Sequence, residues 1–143
     1  MALVEKSVLI PRTAEQMFEL VDRVEDYQKF LPWCGGADLI SRSAERTVAR
    51  IHVNYHGIKA HFATENAKDP PHSMKIALRE GPFKRLDGGW RFIALGDVGC
   101  KVEFRLHYEF SSKMLEKALG PVFGFIVDSF VDSFVKRANH VYD

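Results

Sequence analysis

KMLEKALGPVFGFIVDSFVDSFVKRANHVY, running from Lys113 to Tyr142, is one helical pattern, far longer than the globular average of about 11–12 residues. At roughly 100° per residue, Leu119, Phe123, Ile126, Phe130, Phe134 and Val141 fall on one line, with Val127, Val131, Val135 and Ala138 beside it. Asp128, Asp132, Lys136 and Asn139 fall opposite. The apolar sector is wider than the roughly 100° stripe that seats a helix on a single layer, so this helix has to meet more than one surface. It is either ordinary core or partly the wall of a cavity for an apolar ligand, since rings on one line can fill a space or line it. Gly120-Pro121 interrupts the pattern. Proline lacks an N–H and crowds the preceding turn, so the expectation is a kink there or a helix that begins near Pro121.

The upstream chain reads as a holder for that helix. Val4 to Ile10 is a β-branched strand stopped by Pro11. Thr13 and Gln16 have capping-box spacing, and Ala14, Met17, Phe18, Val21 and Val24 follow at helical intervals. A second short helix, Glu25 to Phe30, ends at Leu31-Pro32, because the residue before proline is pushed away from helical angles. From Ala37 to Phe110 the period is two. Leu39, then Ala49, Ile51, Val53 and Tyr55, then Ile58, Ala60, Phe62 and Thr64, then Met74, Ile76 and Leu78 each mark one face. Cys100, Val102, Phe104, Leu106, Tyr108 and Phe110 alternate with charged residues throughout. His56-Gly57, Asp69-Pro70-Pro71-His72, Asp87-Gly88-Gly89 and Gly96-Asp97 are read as turns. The result is an α+β chain in which a curved antiparallel sheet of about seven strands wraps around the long C-terminal helix, with two short helices after strand 1.

A length of 143 residues suits one domain, 1–143. With 46% hydrophobic residues and a net charge of +1, the chain is not a disordered one and has no global attraction to nucleic acid or anionic lipid, so no DNA partner is indicated. Met1 to Ile10 has neither the apolar core of a signal peptide nor the arginine-rich pattern of a transit segment. Val122 to Val127, the longest unbroken apolar-plus-glycine run, is far below the roughly 20 residues of a bilayer span. A soluble cytoplasmic protein is expected. Cys34 and Cys100 stand too far apart in sequence for a zinc knuckle or redox pair.

His52 and His61 fall on outward strand faces and His56 in a turn, with no carboxylate or cysteine at ligand spacing, so no metal is assigned. Asp128 and Asp132 are one helical turn apart on the polar side, and a solvated helix face accounts for them. No nucleophile elbow, phosphate loop or dinucleotide glycine pattern occurs, and no catalytic residue is assigned. Lys75, Arg79, Lys84, Arg85, Arg91, Lys101 and Arg105 outnumber the nearby acids and form a basic strip. Of these, Lys84, Arg85, Arg91 and Arg105 are candidate RNA contacts, against the plainer reading of a solvated sheet face. Two loops, Phe30-Leu31-Pro32-Trp33-Cys34 and Gly81-Pro82-Phe83, set large apolar groups beside prolines, either to plug the end of the sheet's grip or to rim its mouth.

These two loops, the block Gly81-Pro82-Phe83-Lys84-Arg85-Leu86-Asp87-Gly88-Gly89-Trp90-Arg91-Phe92, the strand end Tyr108-Glu109-Phe110 and Arg137-Ala138-Asn139-His140-Val141-Tyr142 together resemble the coenzyme Q-binding START-domain family and its bacterial relatives, the ribosome-association toxins of the RatA type. The likeness runs from Ser7 to Tyr142, without support from 41–57 or 65–72. It implies a helix-grip fold (START/Bet v 1-like) with a hydrophobic tunnel that carries ubiquinone or a related isoprenoid quinone in support of respiration, needing no cofactor. It also implies, for some members, binding to the large ribosomal subunit and interference with subunit joining. The wider superfamily adds polyketide cyclases and aromatases, for which the inward faces offer mainly Tyr55, Thr64 and Tyr108 as reactive groups. For the quinone carrier, Phe123, Val127, Phe130, Val131 and Phe134 are the expected helix wall and Phe62, Trp90, Phe92, Phe104 and Tyr108 the sheet wall. Leu31, Pro32, Trp33 and Phe83 are the expected rim, with transient contact at a membrane surface, peripheral to the inner membrane.

Overall fold

The strict alternation read in Cys100–Phe110 makes that strand the pivot of the sheet, since its apolar face can be buried while its charged face stays wet. The computed structural model describes residues 2–142, so Met1 and Asp143, the ends of the expected domain span, lie outside the described residues. In chain order the elements are β1 (Ala2–Ile10), α1 (Ala14–Asp22), a 3-10 turn (Val24–Asp26), α2 (Tyr27–Phe30), β2 (Cys34–Arg42), β3 (Arg46–Tyr55), β4 (Ile58–Asp69), β5 (Ser73–Glu80), β6 (Phe83–Ala94), β7 (Cys100–Phe110) and α3 (Lys113–Val141). The seven strands form one antiparallel sheet ordered β1-β7-β6-β5-β4-β3-β2. Strands β2 to β7 are a meander, and β1 closes beside β7. Register shifts in β2, at Ala63/Thr64 and at Phe83/Arg85 are bulges of the kind that bend a sheet.

Thr13 and Gln16 form the expected capping box on α1, with reciprocal bonds of 2.9 and 3.0 Å. The second short helix divides into the 3-10 turn and α2, and stops at Leu31 before Pro32. Three local expectations are corrected. Asp87-Gly88-Gly89 is not a turn but lies inside β6: a Cβ on Gly88 would sit 2.0 Å from the Arg105 carbonyl oxygen, so the glycine permits close approach of β6 and β7. Leu39 faces water where β2 is bulged. Strands β1 and β2 begin at Ala2 and Cys34, earlier than Val4 and Ala37.

Helix α3 does not begin at Pro121. Ser112 caps it, accepting from the Leu115 N–H at 3.1 Å, and 29 residues continue through Pro121. The residue ahead of the proline is Gly120, which has no Cβ for the ring to crowd. Val122, Phe123, Ile126, Val127, Val131, Phe134 and Ala138 are buried, while Val141, past the last of these, is exposed. By length and composition alone α3 could cross a membrane. Here its apolar side is packed into the sheet, as a core helix of this kind would be.

Asp22, the last residue of α1, ties the short helices to the sheet. Its Oδ1 accepts from Thr47 Oγ1 at 2.7 Å and its Oδ2 lies 3.1 Å from Lys68 Nζ, whose side chain is only 4% exposed. Arg42 reaches the Asp22 backbone carbonyl and both carboxylate oxygens of Glu25 at 2.6–2.8 Å. That fork holds the Glu25 carboxyl down to about 2.

Candidate functional site

Helix α3 and the concave face of the sheet do not close completely on one another. Between them lies a cavity of about 80 Å³. Its sheet wall comes from alternate inward positions: Ala49 and Ile51 on β3, Phe62, Thr64 and Asn66 on β4, Ile76 on β5, Leu86 and Trp90 on β6, Phe104 and Leu106 on β7. Phe123, Ile126, Val127 and Phe130 form the helix wall, and Val24, Tyr27 and Trp33 close it from the segment after α1. The Phe130 ring stands 5.4–6.4 Å, centroid to centroid, from Tyr27, Trp33, Trp90 and Phe104. Edge-to-face and tilted packing of this kind fills space efficiently. The tunnel expected from the sequence is therefore, in this conformation, a small cavity. It has room for several waters, against the 300–1,000 Å³ or so of ordinary ligand sites.

Six of the ten expected lining residues reach the cavity: Phe62, Trp90, Phe104, Phe123, Val127 and Phe130. The other four are packed elsewhere. Phe92 lies under α1, edge-on to Phe18 at 5.6 Å. Phe134 packs on Tyr27, Phe30 and Trp90. Tyr108 belongs to a ring cluster with Phe83, Phe110 and Phe123, and Val131 is buried off the cavity. The expected rim is also corrected: Leu31, Trp33 and Phe83 are buried, and only Pro32 is exposed. Trp33 tilts against Phe130 and Phe83 stacks on Phe110, so these loops plug the ends of the grip. Sequence reasoning missed Asn66, although it continues the inward alternation of Phe62 and Thr64 by one more step.

Polar groups in the wall are few. Trp33 is 2% and Asn66 8% exposed, and neither Trp33 Nε1 nor Asn66 Oδ1 has a hydrogen-bond partner among the described residues. Asn66 Nδ2 donates to Met74 Sδ at 3.5 Å. The Tyr27 hydroxyl donates to the Val21 carbonyl, and burial pushes its phenol well above the ordinary range. Burial likewise raises the Tyr108 phenol. No carboxylate, imidazole or lysine lines the cavity among the described residues, and no three His, Cys, Asp or Glu side chains gather at metal-binding distance.

The candidate RNA contacts all lie on the outer, convex strand faces. Arg91 pairs with Glu103 at 3.2 Å, Arg85 with Asp87 at 2.8 Å and Lys84 with Glu109 at 3.6 Å. The strip is thus partly neutralised by acids on the same and neighbouring strands. Lys75 and Arg105 flank Gly89 across β5-β6-β7, and no carboxylate lies within ion-pair distance of either among the described residues.

Comparison with known proteins agrees with this architecture. The chain is 44% identical over 142 residues to the ribosome association toxin RatA of Vibrio cholerae, covering 99% of both. It is 27% identical to the mitochondrial coenzyme Q-binding protein COQ10 homolog B of Xenopus laevis, over 96% of this chain and 58% of that one. The crystal structure of a Thermus thermophilus protein, 22% identical, superposes with a TM-score of 0.83 over 99% of this chain and 100% of that one. The family described as polyketide cyclase/dehydrase and lipid transport matches residues 10–135. A START/Bet v 1-like helix-grip chain that the family description matches over residues 10–135, and whose relatives include proteins named RatA, belongs to the polyketide cyclase/dehydrase and lipid transport family.

Proposed function

We propose that this protein binds an isoprenoid quinone of the ubiquinone type between the sheet and α3 and carries it without making or breaking bonds. The observation that carries the reading is an apolar cavity two of whose lining residues, Trp33 and Asn66, carry buried polar atoms without partners among the described residues. An apolar enclosure with a few convergent polar groups is the usual form of a small-molecule site. The family description includes lipid transport, and one relative is named for coenzyme Q binding. A cyclase would need acid and base groups at the ligand, and the wall supplies a buried phenol, a hydroxyl, an amide and an indole. Binding a prenylated ring requires Phe130 to give way, because its ring stands between Trp33, Trp90 and Phe104. Loading from a bilayer requires transient contact with the inner membrane surface, from a cytoplasmic location.

The 44% identity to RatA favours a second reading, in which the protein binds the large ribosomal subunit and opposes subunit joining. Lys75 and Arg105 on the convex face are the best placed cations for such a contact. One preparation tests both readings. Organic extraction and mass spectrometry of protein purified from its native host should reveal a quinone in sub-stoichiometric or higher amount. Sucrose gradients of the same cells after overexpression report on ribosomes. Quinone with an unchanged ribosome profile supports the carrier. A protein free of lipid, together with loss of joined ribosomes that Arg105→Glu reverses, replaces the first reading by the second.

A further inference from the structure

Trp33 and Asn66 line the cavity from different elements, the α2–β2 connection and β4, and each carries a buried polar atom, Nε1 and Oδ1, without a partner among the described residues. One is a donor only, the other an acceptor only. Buried polar atoms in native proteins nearly always have partners, so each of these exceptions calls for a group to complete it. The orientation of the Asn66 amide is fixed by Met74: its Nδ2 faces the thioether sulfur at 3.5 Å, and turning the amide over would set two electron-rich atoms against each other. Oδ1 is therefore the atom left over, and it needs a donor.

Quinones and quinols differ in this respect. Both present ring oxygens that accept a hydrogen bond, and only the reduced form carries hydroxyl protons to donate. Resting on the carrier reading above, we propose that Asn66 makes the cavity select the reduced, hydroxyl-bearing form of the prenylated ring. Trp33 Nε1–H donates to a ring oxygen in either redox state, while Asn66 Oδ1 accepts from a hydroxyl of the quinol and leaves the dione with an unpaired, repelling carbonyl. Water can complete the same two atoms in the empty protein. Water alone, however, produces no discrimination between redox forms.

The test is anaerobic equilibrium dialysis of the full chain against decylubiquinol and decylubiquinone, with Trp33→Phe and Asn66→Leu alongside. The wild type should bind the quinol roughly 3- to 10-fold more tightly, the worth of one net hydrogen bond. Asn66→Leu should bring the two forms to parity, and Trp33→Phe should weaken both by a similar factor while keeping their ratio. The thermal midpoint of each ligand-free variant is measured alongside, because Asn66→Leu also removes the Nδ2 bond to Met74 and Trp33→Phe trims a ring packed on Phe130, and affinities are compared between folded proteins. Should Asn66→Leu not fold, the dimethyl ether of decylubiquinol, which keeps the oxygens and lacks the protons, should bind the wild type no better than the dione. Parity in the wild type, a ratio that survives Asn66→Leu, or quinol-like binding of the ether overturns the proposal and leaves the carrier intact. Failure of both redox forms to bind overturns the two together.

Discussion

Cutting Phe134 to alanine should lower the free energy of unfolding by about 3–5 kcal/mol, among the largest losses that a single truncation gives. Phe134 is 1% exposed and its ring meets Tyr27, Phe30, Trp90 and Phe130. The loss combines transfer of the ring's apolar surface with the void left among neighbours that cannot collapse. Phe130, one helical turn earlier, is the informative comparison. Part of its ring already faces the cavity, so Phe130→Ala creates less new void and should cost roughly half as much in the ligand-free protein. Denaturant unfolding of both variants measures the difference. Equal and large losses would make Phe130 ordinary core.

Replacing Asp22 by alanine should cost a similar amount, about 3–5 kcal/mol, by a different route. The Lys68 ammonium is almost fully enclosed and has the Asp22 carboxylate as its partner at 3.1 Å, while Thr47 loses its acceptor in the same change. Removing one member of a buried pair leaves the other charge desolvated and uncompensated, which costs more than the pair itself contributes. The pairwise nature of the effect is checked by a second substitution. Asp22→Ala with Lys68→Met should recover most of the stability, because no charge then remains to be buried. If the double variant is as unstable as the single one, the loss comes from the α1 terminus and not from Lys68.

The large features were legible in the sequence because they depend on periodicity. An alternating Cys100–Phe110 and a thirty-residue helical pattern can satisfy their apolar faces only on each other, and the structure pairs them so. What the sequence could not carry was depth. Trp33, in a connection, and Phe83, at the first position of β6, stand beside prolines, where exposure is the usual expectation, and only the tertiary structure decides that they turn inward as plugs. Gly88-Gly89 carries the signature of a turn, and the close approach of the Arg105 backbone that gives the glycine its role comes from another strand. Phe123, Ile126 and Phe134 share one apolar line on the helix, yet Phe123 and Ile126 wall the cavity while Phe134 is sealed behind it.

A ligand held between the sheet and α3 has to lose its place when that space is filled. Ala49 is buried and lines the cavity from β3, so Ala49→Leu projects three further carbons into it at an overpacking cost of no more than about 1–3 kcal/mol. Titration of the folded variant and of the wild type with decylubiquinol should give saturable binding to the wild type and at least a tenfold loss in Ala49→Leu. Wild-type affinity in a folded Ala49→Leu protein would refute the carrier site, because the ligand would then be held somewhere other than between the sheet and α3.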